Sequence, residues 1–300
     1  MFPMTKVAIC IPVYNEEKNI SSVIQNILSQ RNEKIELEIL IVSSNSIDKT
    51  NEIIREYIKS GFPVNLIIEP ERTGKANAIN NLLPILENLK PDICVFTDGD
   101  VYIGQNSIEY IVENFVTQSD LSGVVGHPVP VVETNNLWDK IAIENCAIWN
   151  EVRLKQNESL GTWTFSGYLF AVTISALPQK IEARTIAEDA FWGLSLLLAK
   201  KKLAYEYRSL VYVRFPSNIK DYYIQKSRTR SGWAQLAQIS PQHFRELQKT
   251  QRNIVISRIR RGYIISFLCY VIDKSIWFLD WLFTRRERNR HIWQVPKSTK

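Results

Sequence analysis

The chain has 300 residues, 45% of them hydrophobic and 23% charged, the balance of a globular protein with one large domain or two small ones. With no low-complexity tract or internal repeat, disordered, collagenous and solenoid classes are excluded. The formal net charge of +6 suits phosphates, acidic lipid or nucleic acid, and the placement of the charges must choose among them.

The first half alternates short apolar runs with helical patterns. Residues 7–14 ("VAICIPVY") read as a strand, and 17–29 as a helix with Ile20, Val23, Ile24, Ile27 and Leu28 on one face. A second strand at 37–44 leads to a helix from about Thr50 to Ser60, with Ser46 or Asp48 available to cap it. A third strand at 64–69, a third helix at 75–83 and a fourth strand at 93–98 complete the series. Strands separated by helices of this length imply right-handed parallel crossovers, hence a doubly wound, mainly parallel α/β sheet. Ligands bind such sheets beyond the carboxyl ends of the strands, where Tyr14, Ser43, Glu69 and Asp98 fall.

Farther on, a helix near 107–117, a long helical stretch over 136–156 and a strand-like segment at 162–173 are expected. A helix at 186–202 and one or two strands at 203–216 follow. From Ile219 onward only helical patterns remain, broken by prolines at 241 and 296. This divides the chain into 1–218 and a basic, aromatic helical region at 219–300. Cys10, Cys94, Cys146 and Cys269 lack paired spacing and read as small core residues in a reducing compartment. The N-terminus lacks the layout of a signal peptide, which sets the expectation of a cytoplasmic protein.

Chemistry concentrates at "FTDGDV", where the fourth strand runs into Asp98 and Asp100. Two carboxylates at i and i+2 repel each other unless something positive lies between them. Either they form a turn with Gly99, or they hold a divalent cation that also binds phosphates.

The segments "IPVYNEEKNI", "SSNSIDKT", "ERTGKANAIN", "FTDGDV", "FSGYLFAV", "AEDAFWG" and "QKSRTRSGW", in that order, resemble the family 2 inverting glycosyltransferases over residues 6–233. The resemblance implies a GT-A-like fold and a nucleotide-sugar donor. It implies that Asp98 and Asp100 bind Mn2+ or Mg2+, with Asp98 also touching the donor. Asp189 matches the general base, and Glu188 would orient it or bind acceptor hydroxyls. On the donor side the resemblance points to Pro12, Tyr14, Glu16, Ser44, Lys75, Arg228 and Arg230. Arginine suits the diphosphate because its planar fork matches phosphate oxygens. Gly167 and Trp233 fall on the acceptor side. Two departures stand out: Ser43 and Ser44 replace a usual pair of acids, and Ser231-Gly232 separates Arg230 from Trp233.

The run "YIISFLCYVIDKSIWFLDWLF" at 263–283 is apolar and aromatic but carries Asp273, Lys274 and Asp280. Each charge would cost about 2.5–3.5 kcal/mol at the centre of a bilayer, so a spanning helix is disfavoured. Arginines at 258, 260 and 261 and at 285, 286, 288 and 290 flank it on both sides. Two readings remain: helices on the inner face of the cell membrane, serving a lipid-linked or glycan acceptor, or a hairpin packed on protein. Nucleic acid is not expected as a partner, because the basic residues gather at 226–230 and in the tail rather than in a reader motif.

Overall fold

The computed structural model describes residues 4–159 and 161–283, with side chains described except at 159 and 277–283. In β1 (Thr5–Val13), Ala8 and Cys10 face one side of the sheet while Val7, Ile9, Ile11 and Val13 face the other. All six are buried, so the strand is covered on both faces, as a parallel strand under crossover helices must be. β2 (Ile35–Ser44) and β4 (Ile93–Thr97) repeat the pattern, whereas β3 (Val64–Glu69), at the sheet edge, is only partly covered. The connecting helices are α1 (Ile20–Leu28), α2 (Thr50–Lys59) and α3 (Lys75–Leu89).

The remaining elements are β5 (Tyr102–Ile103), α4 (Ser107–Thr117), β6 (Leu121–Pro130), α5 (Leu137–Ser159), β7 (Leu169–Thr173), α6 (Glu188–Leu198), β8 (Lys202–Val213), α7 (Ile219–Ile239), α8 (Pro241–Arg260) and α9 (Ile264–Phe283). The sheet order is β3-β2-β1-β4-β7-β6-β8-β5. β3, β2, β1 and β4 are parallel, β7 is antiparallel to both β4 and β6, and β8 is parallel to β6. The expected doubly wound sheet is therefore present, with an antiparallel strand inserted in its middle. β1 has β2 on one side and β4 on the other, so a crevice opens between their carboxyl ends.

Two elements differ from the sequence expectation. The helix expected to stop at residue 83 continues through Pro84 to Leu89. The loss of one backbone hydrogen bond is outweighed because Leu82, Leu83 and Leu86 are all buried in that stretch. Of the strand-like segment 162–173 only Leu169–Thr173 pairs, since residues 162–168 leave the sheet to meet α5 and α6. The one or two strands expected at 203–216 form a single strand, Lys202–Val213.

The C-terminal helices dock on the sheet domain. Arg258 donates from Nε and Nη2 to Glu144 at 2.6 and 2.7 Å and from Nη1 to Glu151 at 2.5 Å, and Ser266 also donates to Glu144. This clamp ties α8 and the start of α9 to α5. Cys269 and Ile276 of α9 pack with Ile141 and Tyr222, while Ile264, Phe267, Tyr270 and Val271 are exposed. One face of α9 thus follows the packed-hairpin reading and the other is open. No helix among the described residues is long and apolar enough to cross a membrane. Arg285, Arg286, Arg288 and Arg290 lie outside the described residues.

Candidate active site

The crevice between β1 and β4 opens into a cleft lined by Pro12, Tyr14, Glu16, Ser44, Lys75, Asp98, Asp100 and Arg228, all expected from the sequence. Arg72, Tyr168, Arg214 and Gln225 line it too and were not expected. The guanidinium of Arg72 lies 3.8 Å from the centre of the Tyr14 ring, which fixes both side chains at the mouth. Ser44 donates to Glu69 at the end of β3, and Ser43 donates to Ser46 at 2.9 Å. The serines that replace the usual acids are therefore tied to neighbours on the β2 and β3 ends. The backbone N–H of Glu16 donates to Thr50 at 2.7 Å, and Asp48 accepts from the Thr50 N–H at 3.0 Å, so the loops after β1 and β2 brace each other.

The positive charge that Asp98 requires is supplied first by Lys75. Its ammonium lies 2.6 Å from Asp98 Oδ1 and 3.1 Å from Glu188 Oε1, with the lysine side chain only 10% exposed. Burial works against that charge, but Asp98, then Glu188 and Asp189, outweigh it and hold the lysine protonated. Burial raises the Glu188 pKa, Lys75 opposes the shift and Asp189 adds to it. Glu188 is 2% exposed and lines neither cavity of the site, so of its two expected roles the structure favours orienting neighbours over touching acceptor.

Asp189 opens α6 with both oxygens held by the backbone. Oδ2 accepts from the Gly167 N–H at 2.5 Å and Oδ1 from the Ala190 N–H at 2.8 Å. A Cβ on Gly167 would stand 2.7 Å from Lys75 Nζ and 3.3 Å from Asp189 Oδ2. The space expected for substrate over Gly167 is thus filled by the lysine and the aspartate, and only glycine admits both.

Asp189 lines a second cavity of about 180 Å³, with Asn145, Trp149, Arg153, Lys226 and Trp233 among its walls. Tyr168, Gln225 and Arg228 line both cavities and so form the wall they share. Burial pushes the Tyr168 pKa upward, so the phenol stays a neutral hydroxyl in that wall. Trp233 stacks on Trp149 with centroids 5.6 Å apart and planes 8° from parallel. A Cβ on the preceding Gly232 would lie 2.6 Å from Ala187 Cβ, so this glycine lets α7 press on the residues leading into Asp189. The Ser231-Gly232 insertion therefore still delivers Trp233 to the site. Arg230 lines neither cavity, one turn beyond Lys226, whose ammonium lies 3.1 Å from Asp273 Oδ2.

Comparison with known sequences decides the lineage of this cleft. The family model described as "Glycosyl transferase family 2" matches residues 8–177, and "Glycosyl transferase family group 2" matches 93–286.

The chain belongs to glycosyl transferase family 2.

Among curated relatives, a poly-beta-1,6-N-acetyl-D-glucosamine synthase of Staphylococcus epidermidis is 28% identical over 232 residues, covering 76% of this chain and 54% of the relative. The enzyme of the same name from Staphylococcus aureus strain COL is 27% identical over 225 residues, 74% of this chain and 52% of its own. The chain thus spans about half the length of the curated relatives it matches. Solved structures share the fold. A mannosyltransferase from Pyrobaculum calidifontis in complex with GDP-Man and Mn2+ superposes with a TM-score of 0.69 at 16% identity, covering 95% of this chain and 89% of that one. S. aureus TarS residues 1–349 with UDP-GlcNAc give 0.53 at 14% identity, over 76% and 66%. This family member therefore has a GT-A-type α/β fold, as the motif order implied.

Proposed function

We propose that this glycosyltransferase moves a sugar, with inversion, from a nucleoside-diphosphate donor to a lipid-linked or glycan acceptor with the help of a divalent cation. The observation that carries the reading is the adjacency of the two cavities: Asp98 and Asp100 line one, Asp189 lines the other, and Tyr168, Gln225 and Arg228 line both. A donor in the first and an acceptor in the second would meet at those shared residues.

The residues suit a hard cation shared with substrate. Asp98 and Asp100 line the same cleft, and among the described residues no group of three or more His, Cys, Asp or Glu gathers there or elsewhere, so the protein would offer the ion these two carboxylates. Two carboxylates with remaining positions left to phosphate and water are the usual holding of Mg2+, and Mn2+ accepts the same oxygens. Such an ion would supply Lewis-acid stabilisation of the diphosphate charge.

The chain's own groups carry the remaining tasks. Arg228 and Arg214 present guanidinium donors to the diphosphate, and Tyr14 with Arg72 forms the wall for the nucleoside. An acceptor oxygen attacks the anomeric carbon, the bond to the diphosphate breaks, and its electron pair leaves with the nucleotide. Asp189 takes the acceptor proton; each of its oxygens accepts one backbone N–H and keeps a lone pair for that proton. Glu188 and Lys75 hold the carboxylate cluster in place.

Two finer readings belong here. The exposed Ile264, Phe267, Tyr270 and Val271 near Arg260, Arg261 and Lys274 support docking of α9 on an anionic membrane surface. The likeness to poly-beta-1,6-N-acetyl-D-glucosamine synthases over about half their length supports a second reading, repeated transfer onto a growing glycan. A thermal-shift screen of UDP-, GDP- and dTDP-sugars with Mn2+, followed by turnover and product sizing, tests all of this. Stabilisation by one donor class and release of its nucleotide on adding acceptor are expected. No response to any nucleotide-sugar would refute the transferase reading, and the product length separates single from repeated addition.

A further inference from the structure

The acceptor-side cavity holds a charge that the reaction proposed above does not use. Arg153 lies one turn after Trp149 on α5 and is only 7% exposed, yet it lines the cavity beside Asp189, Lys226 and Arg228. Its position is fixed. The guanidinium Nε donates to the Thr164 carbonyl at 3.2 Å, and Thr162 Oγ1 donates to the Arg153 carbonyl at 3.1 Å. The Trp149 ring lies 5.8 Å away. Among the described residues no carboxylate pairs with Arg153, and its two terminal nitrogens make no hydrogen bond. Among the described residues, three largely covered cations are matched: Lys75 by Asp98 and Glu188, Arg258 by Glu144 and Glu151, Lys226 by Asp273.

A buried guanidinium without a carboxylate in contact is costly, and burial lowers the pKa of this one although the charge of Asp189 partly opposes the shift. The cavity lining carries Arg153, Arg228 and Lys226 against one carboxylate, Asp189; with Lys226 matched by Asp273 from outside the lining, the two arginines still outnumber that carboxylate. The imbalance favours an anionic occupant. The planar fork of arginine matches two oxygens of a phosphate, and the doubly charged tetrahedral group suits a cavity with cations on more than one wall. The stacked Trp149 and Trp233 form the aromatic wall of the same space, a surface for a sugar ring or an alkyl chain.

We infer that the acceptor carries a phosphate group, and that Arg153 receives it with both terminal nitrogens while Asp189 faces the attacking hydroxyl. This rests on the assignment of the second cavity to the acceptor. The phosphate belongs to a soluble sugar phosphate or to the headgroup of a lipid, and the two sources share the recognition chemistry. Arg153 is then a specificity-determining residue: it lowers acceptor KM and leaves the donor cleft untouched.

Calorimetry on the full chain, with the donor cleft saturated by the nucleoside diphosphate that binds it, tests the inference. The probes are glucose 6-phosphate and octyl phosphate, with glucose and octyl glucoside as neutral counterparts. At least one phosphorylated probe is expected to bind tenfold or more tightly than its neutral counterpart, and which one does so identifies the source. Arg153→Gln should erase that preference and Arg153→Lys should keep part of it, while nucleotide affinity changes less than twofold. Neutral probes binding as well as phosphorylated ones would overturn the inference, and that comparison needs only the wild-type protein should Arg153→Gln fail to fold. A preference unchanged in a folded Arg153→Gln would overturn it equally. Failure of any nucleoside diphosphate to bind is a different result and would count against the transferase reading.

Discussion

Replacing Lys75 with methionine removes the cation between Asp98 and Glu188 while keeping most of the side-chain volume. The distances of 2.6 and 3.1 Å and the low exposure of all three side chains make this a buried network. Removing one partner of such a pair costs about 3–5 kcal/mol. Glu188 has one escape, which is to take up a proton on folding. From an unfolded value of 4.5, staying protonated at pH 7.5 costs about 4 kcal/mol, at about 1.4 kcal/mol per pH unit, and only about 0.7 kcal/mol at pH 5. A carboxyl group whose folded pKa is raised loses stability as the pH climbs past its unfolded value, so the variant should weaken with rising pH. In the wild type, the raised pKa of Lys75 keeps its contribution intact below 10.5, across the whole assay range. Urea unfolding should therefore give Lys75→Met a deficit of about 3–4 kcal/mol at pH 7.5 that shrinks by at least about 2 kcal/mol at pH 5. Adding Glu188→Gln should restore a similar amount at pH 7.5. A deficit below about 1 kcal/mol at pH 7.5, or one independent of pH, would refute the account of this cluster.

Three further outcomes follow from the geometry. Asp189→Asn should lower transfer by about 10²–10⁴-fold with donor affinity within twofold, measured by turnover and calorimetry; an unchanged rate would remove Asp189 as base. Gly193→Ala would drive a Cβ to 2.0 Å from the Trp163 carbonyl, so α6 must shift, and a loss of about 1–3 kcal/mol with reduced activity should appear in thermal unfolding and turnover. Burial raises the Glu144 pKa, but the hydrogen bonds from Arg258 and Ser266 prevail and hold it below 4.5. Its contribution is complete above 4.5 and fades as the pH falls through the folded value. Proteolysis should therefore reach α8 and α9 more readily as the pH falls below 4.5, and Arg258→Met should abolish that dependence.

How much of this was written in the sequence depends on the range of the interaction involved. The alternation of strands and helices through Asp98 follows from local hydrophobic spacing, so the crevice and its strand-end residues were legible. Where one residue's partners are distant in sequence, the reading failed. The helix at 75–89 overrides Pro84 because three leucines are buried around it, which no local rule contains. Arg230 was expected beside Arg228, yet their helical positions differ by two residues, roughly 200° around the axis, and only Arg228 meets the cleft. Arg153 went unnoticed inside a long helix. A signal for it was present, since it lies four residues after Trp149 and follows the buried Val152, so a charge was sitting on an apolar stripe. Tyr168 and Gln225 had no such mark, because only the approach of α7 to the 162–168 segment brings them together.

Tyr168, Gln225 and Arg228 are a common wall, and common walls have thermodynamic consequences. A nucleotide that stiffens these three side chains has already met the ordering cost that a second molecule would otherwise face. The factor by which one occupant tightens the other must hold in both directions. Product-inhibition patterns of this protein should therefore betray sequential loading, with the departing nucleotide loosening the glycosylated product as it goes.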